Sequence, residues 1–528
     1  MEANRTSRLA AIAPPISIQL DALIRWITAR EMAGRWAFVA VAAGIFAVQV
    51  PVLGTYFIAD DFVPLGDIAS QSTWSYIRDI FLLNDPTPNW RFLSGIVYFA
   101  LYKSFGLNAF AFLLTSLVVH IATAGLMFRF VQRHTNSLMA AATAAGLFGV
   151  SASYVPTVAY ATAFTHILGT FLLMVALVTI DEAFDHEHPQ LWRMASIVSF
   201  ALAVMANEPV AVIAPVFAVV AIWRVWQLDD KRKLDWASAV VLTVAYLGTG
   251  IAAIASLAAC NCTAADDLTG TGGHIFGNIW IYLGRLVWPI GLEWPGEASA
   301  AHIAGGATVV VLSAVALLRG PAAARIAALF LALTLVPYLP VDWILAPRYV
   351  YLAAAPFSIL AGLLIFDLAQ QLRRLSPALP ALVAVAVLSA IGLLAWQTWM
   401  QNHVIAVDSD RWRSLVTGLE ERYPELPAGS RVYVRGGPLA DPLWQEEVMP
   451  AVGSLLWKDV ELVTVERRAR MLCAAPSRGT YVVDFDGDEF GPLLEGRGPS
   501  FELITSDALA GGVPPLIVNC PEGPPLLE

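Results

Sequence analysis

The chain has few charged residues. Asp, Glu, Lys and Arg make up 14% of its 528 residues, whereas 57% are hydrophobic. Soluble domains average about 25% charged residues, so this composition excludes a wholly soluble fold and places most of the chain in lipid. Lys and Arg are dispersed instead of gathered in a basic patch, which argues against nucleic acid as a partner.

Cysteine is also scarce, with four residues. Cys260 and Cys262 are too close for an easy mutual bridge, and the missing His or Cys partners argue against zinc. Cys473 and Cys520 lie in the C-terminal tail, where an oxidising compartment permits a disulfide, and the sequence leaves open whether they form one. Asn261 begins an NCT triplet that fits a glycosylation acceptor, a pattern that is common by chance.

Long apolar runs are abundant, and each is long enough or nearly long enough to cross about 30 Å of hydrocarbon. The predicted spans are 36–58, 108–130, 137–153, 160–181, 194–207, 209–226, 237–259, 302–319, 322–340, 348–369 and 378–397. The sequence therefore predicts a polytopic α-helical membrane protein with about eleven transmembrane helices. The first run is too long for a cleavable signal peptide and lacks a small-residue cleavage pattern.

Basic residues mark alternate ends of these spans, which the positive-inside rule assigns to the cytoplasm. They are Arg25, Arg30, Arg35, Arg129, Arg133, Arg224, Lys231, Arg232, Lys233, Arg319, Arg325, Arg373 and Arg374. The rule predicts a cytoplasmic segment 1–35, a transmembrane domain 36–399 with an exterior loop 59–107, and an exterior tail 400–528. Short β-branched runs at 431–434, 461–465 and 480–485, with Pro- and Gly-rich turns, predict that the tail is a small α/β domain.

Asp60 and Asp61 follow the first span, and ionisable groups at the edge of a membrane usually mark function. The exterior loop continues with NWRFLSGIVYFALYKSFGLN, which predicts an amphipathic helix in the interface plane. Its apolar face is expected to hold Trp90, Phe92, Ile96, Phe99 and Tyr102, with Arg91 and Lys103 facing water or headgroups. The alternative is that these aromatic residues belong to a span. Such a loop suits a ligand whose reactive group lies at the membrane surface, such as a lipid phosphate.

The ordered motifs resemble the GT-C glycosyltransferases, more narrowly the protein O-mannosyltransferase-like and aminoarabinose-transferase-like enzymes. The matching blocks, over roughly residues 35–370, are ADDF, WRFLSGIVYFALYKSFGLNAFAFLLTSLVVHIATAGLMFRF, VAYATAFTHILGTFLLMVAL, ANEPVAVIAPV and APRYVYLAAAPFSIL. The chain departs from the family at two places. Phe164 and His166 stand where relatives often carry Arg and an acidic residue, and Asn207 stands where a Lys often precedes the Glu, here Glu208. These departures point to a different donor or acceptor.

The resemblance implies transfer of a sugar from a polyprenyl-phosphate-linked donor to a glycan, lipid or protein acceptor. The expected location is the periplasmic face of a bacterial inner membrane. By alignment Asp60 is the expected catalytic base, while Asp61 would orient the acceptor or help hold a divalent cation; no metal-ligand spacing is present, and the metal stays open. Arg348 and Tyr349 are the expected donor-phosphate site, because a guanidinium stabilises a leaving phosphate. The alternative for Arg348 is an interfacial anchor.

Four further residues are expected to line the site: Arg91, His166, Glu208 and Tyr351. The plainer alternatives are a hydrogen-bonded helix histidine for His166 and a helix start before Pro209 for Glu208. His120, inside a span, is expected to be a packing or hydrogen-bonding residue and not a catalyst. The functional alternative is a lipid-linked glycan flippase without covalent chemistry. A transporter would place charges near the bilayer midplane in repeated halves, and no repeat is detectable here.

Overall fold

The computed structural model of the protein describes residues 16–82, 91–185, 189–227, 233–260, 270–289, 296–342, 345–435, 442–465, 480–485, 494–497, 500–503 and 517–519. Trp90, Asn261, Cys262, Cys473 and Cys520 lie outside the described residues, so the disulfide and the glycosylation site stay predictions.

The described part of the chain is mainly helical. Its α-helices are α1 Ile16–Gln49, α2 Phe62–Ser70, α3 Thr73–Leu82, α4 Phe92–Phe105, α5 Ala109–Thr135, α6 Leu138–Gly149, α7 Val155–Ala159, α8 Phe164–Ala183, α9 Pro189–Ala206, α10 Ala214–Trp226, α11 Lys233–Cys260, α12 His274–Val287, α13 Ala300–Arg319, α14 Ala322–Leu335, α15 Tyr351–Leu375, α16 Leu379–Arg422 and α17 Pro442–Leu456. Short 3₁₀ turns are η1 Val50–Gly54, η2 Ala59–Asp61, η3 Ala152–Tyr154, η4 Glu208–Ile213, η5 Val336–Tyr338 and η6 Pro347–Val350.

Ten helical segments in the described residues are long and apolar enough to cross a membrane. They correspond to ten of the eleven predicted spans. The segment predicted at 322–340 forms the apolar stretch Ala322–Tyr338, which belongs to a shorter class of 10–17 residues. The protein is therefore a polytopic helical membrane protein.

Polar residues set the helix boundaries locally: α5 ends at Asn136 in the left-handed region (φ 53°), and Ser137 then accepts from the Ala140 N–H to begin α6.

Helix α4 corrects the amphipathic prediction for the exterior loop. Its buried residues are Phe92, Ser94 and Tyr98, whereas Ile96, expected on the apolar face, is exposed. The reason is that α4 packs against both α2 and α9, so its burial does not follow one stripe. Arg91, expected to face water or headgroups, is the residue just before α4, and its side chain pairs with a distant carboxylate.

The tail contains a six-stranded sheet with strand order β2-β1-β3-β4-β5-β6. The strands are β1 Arg431–Arg435, β2 Glu461–Val465, β3 Thr480–Asp484, β4 Leu494–Arg497, β5 Ser500–Leu503 and β6 Ile517–Asn519. The pairs β1–β2 and β1–β3 are parallel and the others antiparallel, with α17 as the crossover from β1 to β2. The three strands predicted from β-branched runs are thus confirmed. Helix α16 continues through residue 400, so the domain boundary there stays a prediction.

The segment after Asp60 and Asp61 is held by the tail. A Cβ on Gly66 of α2 would lie 2.8 Å from the Ala451 Cα of α17, so only glycine permits this approach. The Phe62 and Trp412 rings lie 5.2 Å apart, and the Arg413 Nη2 donates to the Gly54 carbonyl at 2.7 Å. Helices α16 and α17 therefore fix both sides of the acidic turn.

Candidate active site

The acidic pair lies on a tight turn at the end of the first span. Thr55 and Ile58 have extended backbone, and Ala59 then adopts a φ of 45°, which is uncommon for a residue other than glycine. In the following 3₁₀ turn successive side chains point about 120° apart, so Asp60 and Asp61 face different surroundings. The turn therefore separates the roles of two adjacent carboxylates.

Asp61 is fully buried and binds its own loop. One carboxylate oxygen accepts from the Ile58 N–H at 3.1 Å, and the other accepts from the Thr162 N–H at 2.7 Å and the Thr162 hydroxyl at 2.9 Å. Burial raises the pKa of Asp61 to about 6, against the lowering effect of these hydrogen bonds. Both oxygens are occupied, so the predicted orientation of an acceptor by Asp61 needs correction: Asp61 fixes the turn.

Asp60 faces the predicted phosphate ligand. Its Oδ2 lies 3.5 Å from the Arg348 Nη1, and the two side chains are 20% and 26% exposed. The guanidinium also lies 5.6 Å from the centre of the Tyr349 ring. A charge-assisted N–H···O⁻ bond is usually about 2.7–2.9 Å long, so this ion pair is loose. The structure thus brings together Asp60, Arg348 and Tyr349 from the two ends of the predicted site.

A second ion pair lies beside the first. Arg91 binds Glu208 in bidentate fashion, Nε to Oε2 at 3.0 Å and Nη2 to Oε1 at 2.9 Å. The contact joins the start of α4 to the start of η4, and the Ser94 hydroxyl supports it by donating to the Ala206 carbonyl at 3.1 Å. Both donors and both carboxylate oxygens are aligned, which is the geometry of a strong, rigid pair. Glu208 therefore does more than begin a helix.

His166 lies between the two ion pairs, within electrostatic range of Arg91 and Arg348. It is 3% exposed, and its Nδ1 lies 3.4 Å from the Asn207 Nδ2. The rings of Tyr338 and Tyr349 each lie 6.3 Å from the imidazole and stack on each other at 5.0 Å. Tyr338 was not expected in the site, and its position directly after an apolar helix is the signal that sequence reasoning missed.

Tyr351 does not line the site. Its ring is fully buried against Tyr154 and Phe148, and its hydroxyl lies 2.8 Å from the His120 Nδ1. As the first residue of α15 it points into the helix bundle, which corrects the prediction. His120 also reaches the Gly149 carbonyl through Nε2 at 3.2 Å, the packing and hydrogen-bonding role expected for it.

A separate charge network lies at the opposite end of α8. His166 and Asp181 are 15 residues apart on this helix, about 22 Å at 1.5 Å per residue. Asp181 contacts the Arg133 Nε at 2.9 Å, the His134 Nε2 at 3.3 Å and the Arg224 Nε at 3.5 Å. Arg129 binds Glu182 through two bonds of 2.6 Å. Three of the basic residues assigned to the cytoplasm, Arg129, Arg133 and Arg224, thus gather far from the candidate site. Within the described ranges, no three His, Cys, Asp or Glu residues group so as to hold a metal ion.

No protein-family model matches the chain, and no curated protein matches it. Among solved structures, the chain is similar to ArnT from Cupriavidus metallidurans bound to undecaprenyl phosphate, with 13% identity, a TM-score of 0.45, and coverage of 80% of this chain and 85% of ArnT. For ArnT in the apo state the identity is 14%, the TM-score 0.44 and the coverage 84% and 86%. The chain is also similar to the oligosaccharyltransferase AglB from Archaeoglobus fulgidus, in complex with an inhibitory peptide and a dolichol-phosphate, with 12% identity, a TM-score of 0.49, and coverage of 86% and 69%. Identities and TM-scores this low do not allow a functional residue of these proteins to be assigned to this chain.

Proposed function

We propose that the chain is a GT-C type glycosyltransferase that moves a sugar from a polyprenyl-phosphate-linked donor to a hydroxyl of a glycan, lipid or protein acceptor. The observation that carries the proposal is the contact between Asp60 and Arg348, a base and a phosphate ligand that meet at the mouth of the helical bundle. Arg91, His166 and Glu208 converge on the same place, so the five sequence blocks that resemble the family each supply a residue.

The chemistry is a single displacement at the anomeric carbon. Asp60 takes the proton of the acceptor hydroxyl as its oxygen forms a bond to the sugar, and the bond between the sugar and the phosphate oxygen breaks. The lipid phosphate leaves with the electron pair, and Arg348 stabilises its negative charge. A positioned base of this kind contributes about 10²–10⁴-fold. The attack and departure occur on opposite faces, so the configuration at the sugar is inverted.

The loose ion pair couples donor binding to the base. Before the donor arrives, Arg348 neutralises Asp60; when the guanidinium turns to the donor phosphate, Asp60 loses part of that favourable interaction. An opposite charge stabilises the ionised form of a carboxylate, so weakening it makes Asp60 more basic. The donor phosphate and the Asp60 carboxylate compete for the Arg348 guanidinium. Asp60 is therefore released from this ion pair, and free to accept a proton, only when a donor is present.

The surrounding residues have supporting roles. Asp61 holds the acidic turn against Thr162, and the Arg91–Glu208 pair forms a rigid wall beside His166. The exterior tail fixes the turn from outside through α16 and α17. We place the site on the periplasmic face of a bacterial inner membrane, because the basic network lies at the opposite end of α8.

The test is sugar transfer by purified Asp60→Asn in nanodiscs, with donor binding measured separately, over a panel of polyprenyl-phosphate sugars. Turnover should fall by about 10²-fold or more while donor binding survives. Asp79→Asn is the matched control: its carboxylate is also 20% exposed and also pairs with an arginine, Arg78, but it lies on α3 outside the site. Normal transfer by Asp60→Asn removes Asp60 as the base. A wild-type protein that moves the lipid-linked sugar across a bilayer without transferring it establishes the flippase alternative.

A further inference from the structure

Helix α12 carries a row of polar side chains that the proposed mechanism does not use. His274, Asn278 and Arg285 are spaced by 4 and 7 residues, and at 3.6 residues per turn they lie within about 40° of one another around the helix. Asn278 and Arg285 are fully buried. Buried polar and charged groups are costly unless bonded, so a row of this kind requires partners.

The partners are backbone carbonyls of the segment that leads to Arg348. The His274 Nε2 reaches the Pro340 carbonyl at 3.3 Å, and the Asn278 Nδ2 donates to the carbonyls of Leu339 and Val341 at 2.9 and 2.7 Å. The Arg285 Nη1 donates to the Leu345 carbonyl at 2.5 Å, three residues before Arg348. One helix face therefore binds the backbone at residues 339–341 and again at Leu345.

A neighbouring side of α12, about 100° around the helix from the row, is itself closely packed. A Cβ on Gly284 would lie 2.5 Å from the His302 Cα, so α12 and α13 pack backbone to backbone at this point. The Ser153 hydroxyl, from η3, donates to the Arg285 carbonyl at 2.5 Å. The row thus projects from a fixed support toward the described residues between η5 and η6.

We propose that Asn278 and Arg285 are positioning residues, which fix the backbone at 339–341 and at Leu345 and so hold Arg348 in the position that transfer requires. The inference rests on the proposed function for its catalytic part. Its structural part, the anchoring of the loop by α12, is independent of any activity. A guanidinium at Arg285 suits this task because it can donate strongly to a carbonyl while it is buried.

The anchoring is tested by amide hydrogen exchange of the full-length protein in nanodiscs. Arg285→Met should raise exchange in 345–352 by about 10-fold, and Asn278→Ser should raise it by about 10-fold in 339–342, because each removes hydrogen bonds to that backbone; both should leave 55–62 unchanged. Tyr282→Phe is the matched control, since Tyr282 lies on the same helix, is fully buried, and its hydroxyl has no hydrogen-bond partner. Unchanged exchange in both variants, or an equal rise in Tyr282→Phe, overturns the anchoring. Asn278→Ser decides the matter if Arg285→Met does not fold.

The catalytic part is tested with a double-mutant cycle. Arg285→Met should lower kcat/KM for the donor about 10-fold, and Arg285→Lys should recover most of the lost kcat/KM. In an Arg348→Lys background the loss caused by Arg285→Met should shrink to less than 3-fold, because a residue that acts through Arg348 has nothing further to position there. A loss of equal size in both backgrounds overturns the positioning role. Raised hydrogen exchange together with a normal kcat/KM in Arg285→Met also overturns the positioning role. That outcome does not affect the proposed function, which is tested separately with Asp60→Asn.

Discussion

Removing the charge of Asp60 should have opposite effects on donor binding and on transfer. In the structure Arg348 faces Asp60 at 3.5 Å, so a donor phosphate has to take the guanidinium away from a carboxylate. Asp60→Asn removes that competitor and keeps the size of the side chain. The variant should therefore bind a polyprenyl phosphate more tightly than the wild type, although its sugar transfer is slower by about 10²-fold or more.

The size of the gain follows from the geometry. Two unit charges 3.5 Å apart interact by about 5 kcal/mol at an effective dielectric constant of 20. Both side chains are partly exposed, and exposed ion pairs contribute only about 0.2–1 kcal/mol, so we expect about 1 kcal/mol here. This corresponds to a Kd lower by about 5-fold, since 1.4 kcal/mol is a factor of 10.

The assay is calorimetric titration of nanodisc-embedded protein with a short-chain polyprenyl phosphate that carries no sugar. Asp79→Asn serves as the control and should bind as the wild type does. In Arg348→Lys the gain from adding Asp60→Asn should shrink, because an ammonium lacks the planar fork that both partners share. Weaker or unchanged binding in Asp60→Asn refutes the competition, whatever happens to transfer.

Three further outcomes are expected. Arg348→Lys alone should weaken donor use in a transfer assay, whereas an interfacial anchor would tolerate Lys and leave donor affinity and turnover unchanged. The pKa of Asp61 is raised from 3.8 to about 6 in the folded state, so the stability that the protonated side chain contributes is fully present below about pH 4 and is lost as the pH rises through about 6. The wild-type Tm should therefore fall over this pH window relative to the Tm of Asp61→Asn. Tm curves of the two proteins that run parallel over the window contradict the raised pKa. Reporter fusions after Lys233 and after residue 405 should report opposite sides of the membrane, and matching signals contradict the orientation.

Much of the helical fold is predictable from the sequence because lipid imposes a simple requirement. Each span must be apolar over about 20 residues, and hydropathy alone located ten of the eleven predicted segments. The strands β1 to β3 were also found, since β-branched runs between turn residues are a local signal. Helix α12 was not predicted, and the role of its polar row has no local signal because the carbonyls that it binds, at residues 339–341 and 345, are far away in sequence.

The site was predicted as a set of residues but not as a set of contacts. Asp60, Arg348, His166 and Glu208 each stand at a span end, and that placement is visible in a single sequence. The pairing of Arg91 with Glu208 is not visible, because it depends on which helix ends become neighbours. Asp61 was misassigned because adjacency in sequence suggests a shared role, whereas a 3₁₀ turn points neighbouring side chains in different directions. The prediction that Tyr351 lines the site was wrong for a related reason: α15 begins at this residue, and its side chain points into the helix bundle.

The lengths of the polar contacts divide the site into fixed and separable parts. Asp61 binds Thr162 at 2.7 Å, Arg91 binds Glu208 at 2.9 Å and Asn278 binds Val341 at 2.7 Å, and these contacts hold three segments that surround the site. The contact between Asp60 and Arg348 is longer, at 3.5 Å, and joins the two groups that have to separate when a donor enters. An enzyme gains rate from groups that are held in place before the reaction and whose interactions strengthen in the transition state. Fixed surroundings with one loose ion pair meet both conditions, because in the proposed mechanism the surrounding segments keep their positions while the attraction between Asp60 and Arg348 is exchanged for attraction to the substrate.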